Sequence, residues 1–250
     1  MDDRRSNADD ERLSSNRTSD DWPAPDRPSD DQVAFGVAST SEHRWHANSA
    51  VVVAIVLQLV LPDRVVRDLG PRWLIPALEG ALLIALTIAN PAGRITKESV
   101  RLRTMSMTLI ALISLANFVA LGELINALLN HTKAGGQTLV YASVPIWLTN
   151  VIVFGLWYWE IDRGGPAVRL RPDHRPPDFL FPQMSTPGSA PGWTPKFFDY
   201  LYTSFTNSTA FSPTDTMPLS SPAKQLMMLQ SIASLLTVAL VVSRAVNILS

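Results

Sequence analysis

The 250-residue chain has no cysteine. Disulfides, thiolate nucleophiles and Cys-ligated metals are therefore excluded. Charge is also scarce. Only 17% of residues are Asp, Glu, Lys or Arg, against about 25% in an ordinary soluble domain. The deficit is uneven: residues 1–46 hold 11 acidic and 6 basic residues, and residues 47–250 hold 11 acidic and 15 basic. A tail of net −5 precedes a body of net +4, and the body is too apolar for a compact water-soluble fold. Lysine is rare beside arginine, 4 against 17, a usage that points to a GC-rich bacterial genome. Nucleophile-elbow, Walker, HExxH and dinucleotide fingerprints are all missing. No catalytic residues or cofactor are expected, and an enzyme is the least supported class. The four histidines, His43, His46, His131 and His174, fall in the tail or in loops. His43 and His46 have i, i+3 spacing but no third ligand nearby, so no metal site is expected. The basic residues are dispersed and lack an aromatic platform, which argues against nucleic acid.

The tail, 1–46, is rich in Asp, Ser, Arg and Pro without apolar periodicity. It cannot bury enough surface to offset the entropy of ordering and is expected to be disordered. It is not a signal peptide, because the first apolar run begins only near Ala47.

Crossing ~30 Å of hydrocarbon takes roughly 20 apolar residues as helix. Five candidates follow: Ala47–Leu61, Trp73–Asn90, Thr104–Leu129, Thr138–Trp159 and Ala223–Leu249. In the fourth, Trp147, Trp157, Tyr158 and Trp159 read as interfacial anchors. A linker from Glu160 to about Thr194 holds seven of the 19 prolines and reads as loop. After it, the apolar stretch Phe197–Phe211 is broken by Asp199, Asn207 and several hydroxyls. It is too short and too polar to cross. Non-helical backbone is tolerated at membrane depth only where protein or water covers it, so the pattern predicts a re-entrant loop. The expected fold is an all-α membrane protein of five transmembrane helices, with a pore-helix-like re-entrant loop between the fourth and fifth. Residues 47–137 would form a three-helix membrane region. Residues 138–250 would form a channel-like outer helix, loop and inner helix.

Tyr202-Thr-Ser-Phe-Thr-Asn-Ser-Thr209 resembles the pore helix of bacterial two-span potassium channels. Asp215 stands where those channels carry the Asp after their filter, and Pro218 keeps the D-x-x-P spacing. The ungapped match covers about Asp199–Leu249. The combination also resembles bacterial integral membrane proteins of similar size. The resemblance implies a homo-oligomer in the lipid bilayer, a tetramer if it forms a pore, with monovalent cations passing a loop made of Thr206, Ser208, Thr209, Ala210, Phe211, Ser212, Pro213, Thr214 and Asp215. The centre of the loop departs from the family. The potassium filter reads TVGYG, and its carbonyls replace the ion's water shell. Here both glycines are lost, to Ser212 and Thr214, and Pro213 fixes its own φ and restricts Ser212. A potassium-type carbonyl ladder is not expected. The last helix also lacks a glycine hinge.

Two carboxylates, Glu79 and Glu123, fall inside expected spans and would face the bundle interior or a watery cavity. Asn117, Asn150 and Gln230 are expected to join helices by hydrogen bonds. Arg244, near the end of the last span, would snorkel. Basic residues in short loops favour the cytoplasm. The loops on the tail's side hold nine and the opposite loops four, which puts tail and re-entrant loop inside, in a multi-pass protein of the cytoplasmic membrane. The potassium-channel resemblance implies entry of the loop from outside, so the two readings of orientation differ. Three functions fit these residues: a channel-like protein, a non-conducting sensor or accessory protein on the same plan, and a small-solute transporter using Glu79.

Overall fold

Long runs of Leu, Ile, Val and Ala leave the backbone no water to bond with, and helices satisfy it internally. The computed structural model describes residues 44–61, 73–89, 100–129, 136–169, 175–185, 193–209 and 215–249. Among them α1 spans Trp45–Val60, α2 Leu74–Ala89, α3 Val100–Leu129 and α4 Gly136–Ile161. A 3₁₀ turn (Asp162–Gly164) and a one-turn α5 (Pro166–Arg169) end this run. Then come β1 (Phe179–Leu180), a one-turn α6 (Pro182–Ser185), α7 (Phe197–Thr209), β2 (Met217–Pro218) and α8 (Ser221–Leu249).

Three helical stretches, Arg101–Leu129, Val140–Gly164 and Ser221–Val242, are long and apolar enough to cross a membrane. The first two helices are apolar but shorter. At 16 residues each they rise only about 24 Å.

Contacts between helix ends give the directions. Arg44 before α1 and Ser106 early in α3 both meet Glu160 at the end of α4. Leu61, just past α1, packs with Leu121 and Leu124 of α3 and Ala142 and Ile146 of α4 at the opposite end. Leu219, just before α8, donates its N–H to the Asp178 carbonyl back at the Glu160 end (2.8 Å). Gln58 near the end of α1 reaches Glu79 in the first half of α2, so the five longer apolar helices alternate up and down. The centre of the bundle is α4, whose apolar stretch is 61% buried; that of α8 is 28% buried.

The described part of the linker after α4 is not a solvated loop. Arg163 (φ 54°), Gly164 (φ 83°) and Gly165 (φ 102°) reverse the chain at once. The following residues fold back over the end of α4, and Glu160, Asp162, Arg163 and Arg169 are all at most 1% exposed. An antiparallel ribbon of β1 and β2 pairs Phe179 with Pro218 and Leu180 with Met217. It ties the linker to the start of α8. Below it Tyr158, Phe179, Phe181 and Tyr200 form an aromatic cluster with neighbouring ring centroids 5.1–6.3 Å apart.

Candidate functional site

The short helix α7 lies against α4 and α8. Its start is set by Asp199, whose carboxylate accepts the Lys196 N–H at 2.7 Å, one arm of a capping box. Burial pushes the Asp199 carboxyl above its ordinary range, against the Lys196 backbone bond and charge. Close approach to α4 depends on Gly155. A Cβ there would lie 3.1 Å from Leu201 Cα. Ser204 Oγ then donates to the Val151 carbonyl at 2.6 Å.

These contacts fix a depth. Val151 is ten residues before the end of α4, about 15 Å along its axis. Thr209 is five residues beyond Ser204, about 8 Å further. The end of α7 is therefore near the mid-height of α4. The chain is then back beside the upper half of α7 at Thr216, whose hydroxyl accepts from Thr203 Oγ1 at 3.1 Å.

A polar seam holds the three helices together. At its hub is Gln230 of α8, fully buried. Its amide NH₂ donates to Ser204 O (3.0 Å), Ser204 Oγ (2.6 Å) and Ser208 Oγ (2.7 Å). Its carbonyl accepts from Tyr158 OH and from Asn207 Nδ2 (2.8 Å). Asn207 also donates to the Met227 carbonyl at 3.0 Å and accepts from Ser231 Oγ at 3.1 Å. Deeper, Trp147 Nε1 donates to Ser234 Oγ at 2.8 Å, and Ser234 donates to the Ser208 carbonyl.

A second cluster closes the Glu160 end. Glu160 Oε1 accepts from Ser106 Oγ (2.7 Å) and pairs with Arg44 (3.6 Å). Asp162 accepts from Tyr200 OH (2.6 Å) and from the Asp178 N–H (2.8 Å). The left-handed Arg163 is held by its own N–H, which donates to Asp178 Oδ2 at 2.9 Å. Arg169 Nη1 donates to the Trp159 carbonyl at 2.6 Å, and its guanidinium stacks near Trp159 and Tyr200.

The residues expected to form the pore loop divide into three groups. Thr206, Ser208 and Thr209 are helical, in the second half of α7. Thr206 and Thr209 donate back to carbonyls of their own helix (Tyr202 O at 3.0 Å, Thr206 O at 2.9 Å), so neither is needed to face water. Ala210, Phe211, Ser212, Pro213 and Thr214 lie outside the described residues. Asp215 is exposed at the bend before β2.

Of the two carboxylates expected inside spans, Glu79 is fully buried. Gln58 Nε2 reaches its Oε1 at 3.4 Å, and its Oε2 has no hydrogen-bond partner among the described residues. Glu123 is half-buried in α3. Gln230 joins helices as expected. Asn150 does not, because both its side-chain polar atoms are buried without a hydrogen-bond partner among the described residues. Asn117 is buried in α3, and the Arg244 side chain lies outside the described residues.

Three expectations need correction. Tyr158 and Trp159 are not interfacial anchors. They are 0% and 3% exposed, because the folded-back linker and α7 cover them. Helix α1 takes in Trp45 and His46, both expected in the tail, and buried Arg44 belongs to the body through its pairing with Glu160. Arg163 and Arg169, counted as loop charges, are interior structural groups.

The sequence reading also missed Glu160, Asp162, Ser204, Asn207 and Ser234. The available signal was the run Trp-Glu-Ile-Asp-Arg-Gly-Gly, charges directly before paired glycines at a helix end. Among the described residues no three His, Asp or Glu side chains come together in a way that could hold a metal. Compared with protein-family models, curated proteins and solved structures, the chain matches none.

Proposed function

We propose that the protein is the subunit of a channel-like membrane assembly on the potassium-channel plan. In this reading α4 is the outer helix, α7 the re-entrant pore helix and α8 the inner helix. Four copies surround one axis, since one re-entrant segment cannot enclose an ion. The chain crosses a bacterial cytoplasmic membrane five times, the two 16-residue helices included, with its tail on the cytoplasmic side by the charge rule.

One observation carries the proposal: α7 ends near mid-height between α4 and α8, and the chain is back beside Thr203 at Thr216. A second agrees with it. The apolar face of α8, with Met228, Leu229, Ile232, Leu235, Leu236 and Val242, is exposed in the single chain, as an inner helix would be before its neighbours join. Asp215 supplies one fixed negative charge per subunit at the mouth, which favours cations over anions. The lost filter glycines argue against strict potassium selectivity.

Proteoliposomes assayed in parallel with K⁺, Na⁺ and Cl⁻ test this. Cation flux exceeding chloride flux is expected. Asp215→Asn should lower it, and Asp173→Asn in the linker should not. Absence of a tetramer in mild detergent would remove the pore. A second reading is favoured by the hydroxyls of Thr203, Thr206, Ser208 and Thr209, all bonded within the chain. It is a non-conducting sensor or accessory protein on the same plan. A tetramer without flux supports that reading.

A further inference from the structure

The double glycine after α4 does more than reverse the chain. It seats two arginines on one small wall. A Cβ on Gly165 would lie 3.6 Å from Arg103 Cζ, and a Cβ on Gly164 would lie 3.5 Å from Arg175 Cδ. Arg103 thus lies against bare backbone at Gly165, and Arg175 against Gly164. Both side chains line an open cavity of about 680 Å³ at the Glu160 end, between the start of α3, the linker and the start of α8. Its remaining walls are Asp178, Ser220 and the apolar Ile161, Leu219 and three prolines. The volume is in the range of ligand sites.

The polar groups differ in how far they are engaged. Asp178 Oδ2 accepts the Arg163 N–H. Ser220 Oγ accepts the Ala223 N–H at 3.3 Å, which leaves its hydroxyl proton free to donate. Of the nearest other carboxylates in sequence, Asp162 is occupied by Tyr200, and Glu160 takes Ser106 and Arg44 on Oε1 while its Oε2 has no hydrogen-bond partner among the described residues. Arg103 Nε is buried and has no hydrogen-bond partner among the described residues. A buried guanidinium N–H without an acceptor is costly, and an oxyanion is the group that removes the cost.

We infer that this cavity binds a phosphate-bearing anion, held by Arg103 and Arg175 with the Ser220 hydroxyl. A guanidinium pair matches the planar, bidentate demand of phosphate oxygens. The cavity opens beside the first turn of an apolar helix, and half of its wall is apolar. That suits the phosphodiester of an anionic lipid with its glycerol against the prolines. The inference concerns binding and holds whether or not the assembly conducts.

The full chain in a neutral detergent is titrated with dioctanoyl-phosphatidylglycerol, with dioctanoyl-phosphatidylcholine and with inorganic phosphate, and both Tm and affinity are read. Phosphatidylglycerol should raise Tm by about 4 °C near saturation, and phosphatidylcholine should not. Arg103→Gln and Arg175→Gln should each weaken binding about tenfold. Arg175 is exposed, so its variant keeps the test valid if the Arg103 variant folds poorly. Arg101→Gln removes the same charge from the same helix but not from this wall, and should bind as wild type. A shift from inorganic phosphate alone supports the same pocket with free phosphate as its ligand. Binding unchanged in both the Arg103 and Arg175 variants, an equal loss in Arg101→Gln, or no shift from any phosphate compound would overturn the inference.

Discussion

Gln230 and Thr206 are both polar groups in apolar surroundings, and the structure separates them. Gln230 bonds to α4 and α7 through five contacts. Among the described residues, Thr206 bonds only to carbonyls of its own helix. Gln230→Leu should therefore cost about 2–4 kcal/mol, because partners on two other helices lose their bonds. Thr206→Ala should stay within about 1 kcal/mol. Thermal unfolding of the two variants in detergent checks the contrast. Equal losses would mean that the seam does not hold α7.

Asp199 adds a pH signature. Its folded pKa is raised, so its contribution to stability is fully present below the unfolded value, ~3.9, and is lost as pH rises through the folded value. The Tm difference between wild type and Asp199→Asn should move towards wild type as pH falls. A difference constant with pH would contradict the buried placement. The hydroxyl cluster and Gln230 were legible at this scale because polar residues stand out in apolar runs. Glu160, Asp162, Arg163 and Arg169 were not. Charges at a helix end look solvated in sequence, and only the folded-back linker covers them.

Among the elements, α7 (Phe197–Thr209) was legible through its broken apolar run and its Tyr-Thr-Ser-Phe-Thr pattern. The ribbon of β1 and β2 was not legible, since two-residue strands carry no alternation. The seat of α7 depends on Gly155. Gly155→Leu should cost more than about 2 kcal/mol, because the added atoms meet Leu201 backbone. Gly122, with open space around it in α3, is the matching control. Gly122→Ala should be neutral or stabilise by up to about 1 kcal/mol. Chemical denaturation of both variants checks this, and a tolerated leucine at 155 would mean that α7 does not pack where Ser204 meets Val151. At the chain's start, deleting residues 1–40 leaves Arg44 in place and should not change Tm. Deleting 1–44 unpairs Glu160 and should cost about 3 kcal/mol. Identical Tm values for the two truncations would contradict the Arg44–Glu160 pairing.

For the molecule as a whole, the alternation of five apolar helices follows from hydropathy, and the central place of α4 does not. Nothing in the sequence of α4 marks it as more buried than α8, since both are long apolar runs broken by a few polar residues. The difference comes from α7 and the linker, which cover α4 and leave one side of α8 bare. The proposed assembly rests on that asymmetry and on α7 entering and leaving at one end of the bundle. The missing cysteines make this accessible to a direct measurement. Single cysteines replacing Lys196, Asp215 and Gly136 are probed with a membrane-impermeant thiol reagent in sealed vesicles of known orientation. Labelling of positions 196 and 215 from one side, and of 136 from the other, is the predicted result. Labelling of 196 and 215 from opposite sides would show that α7 crosses the bilayer and would contradict the account.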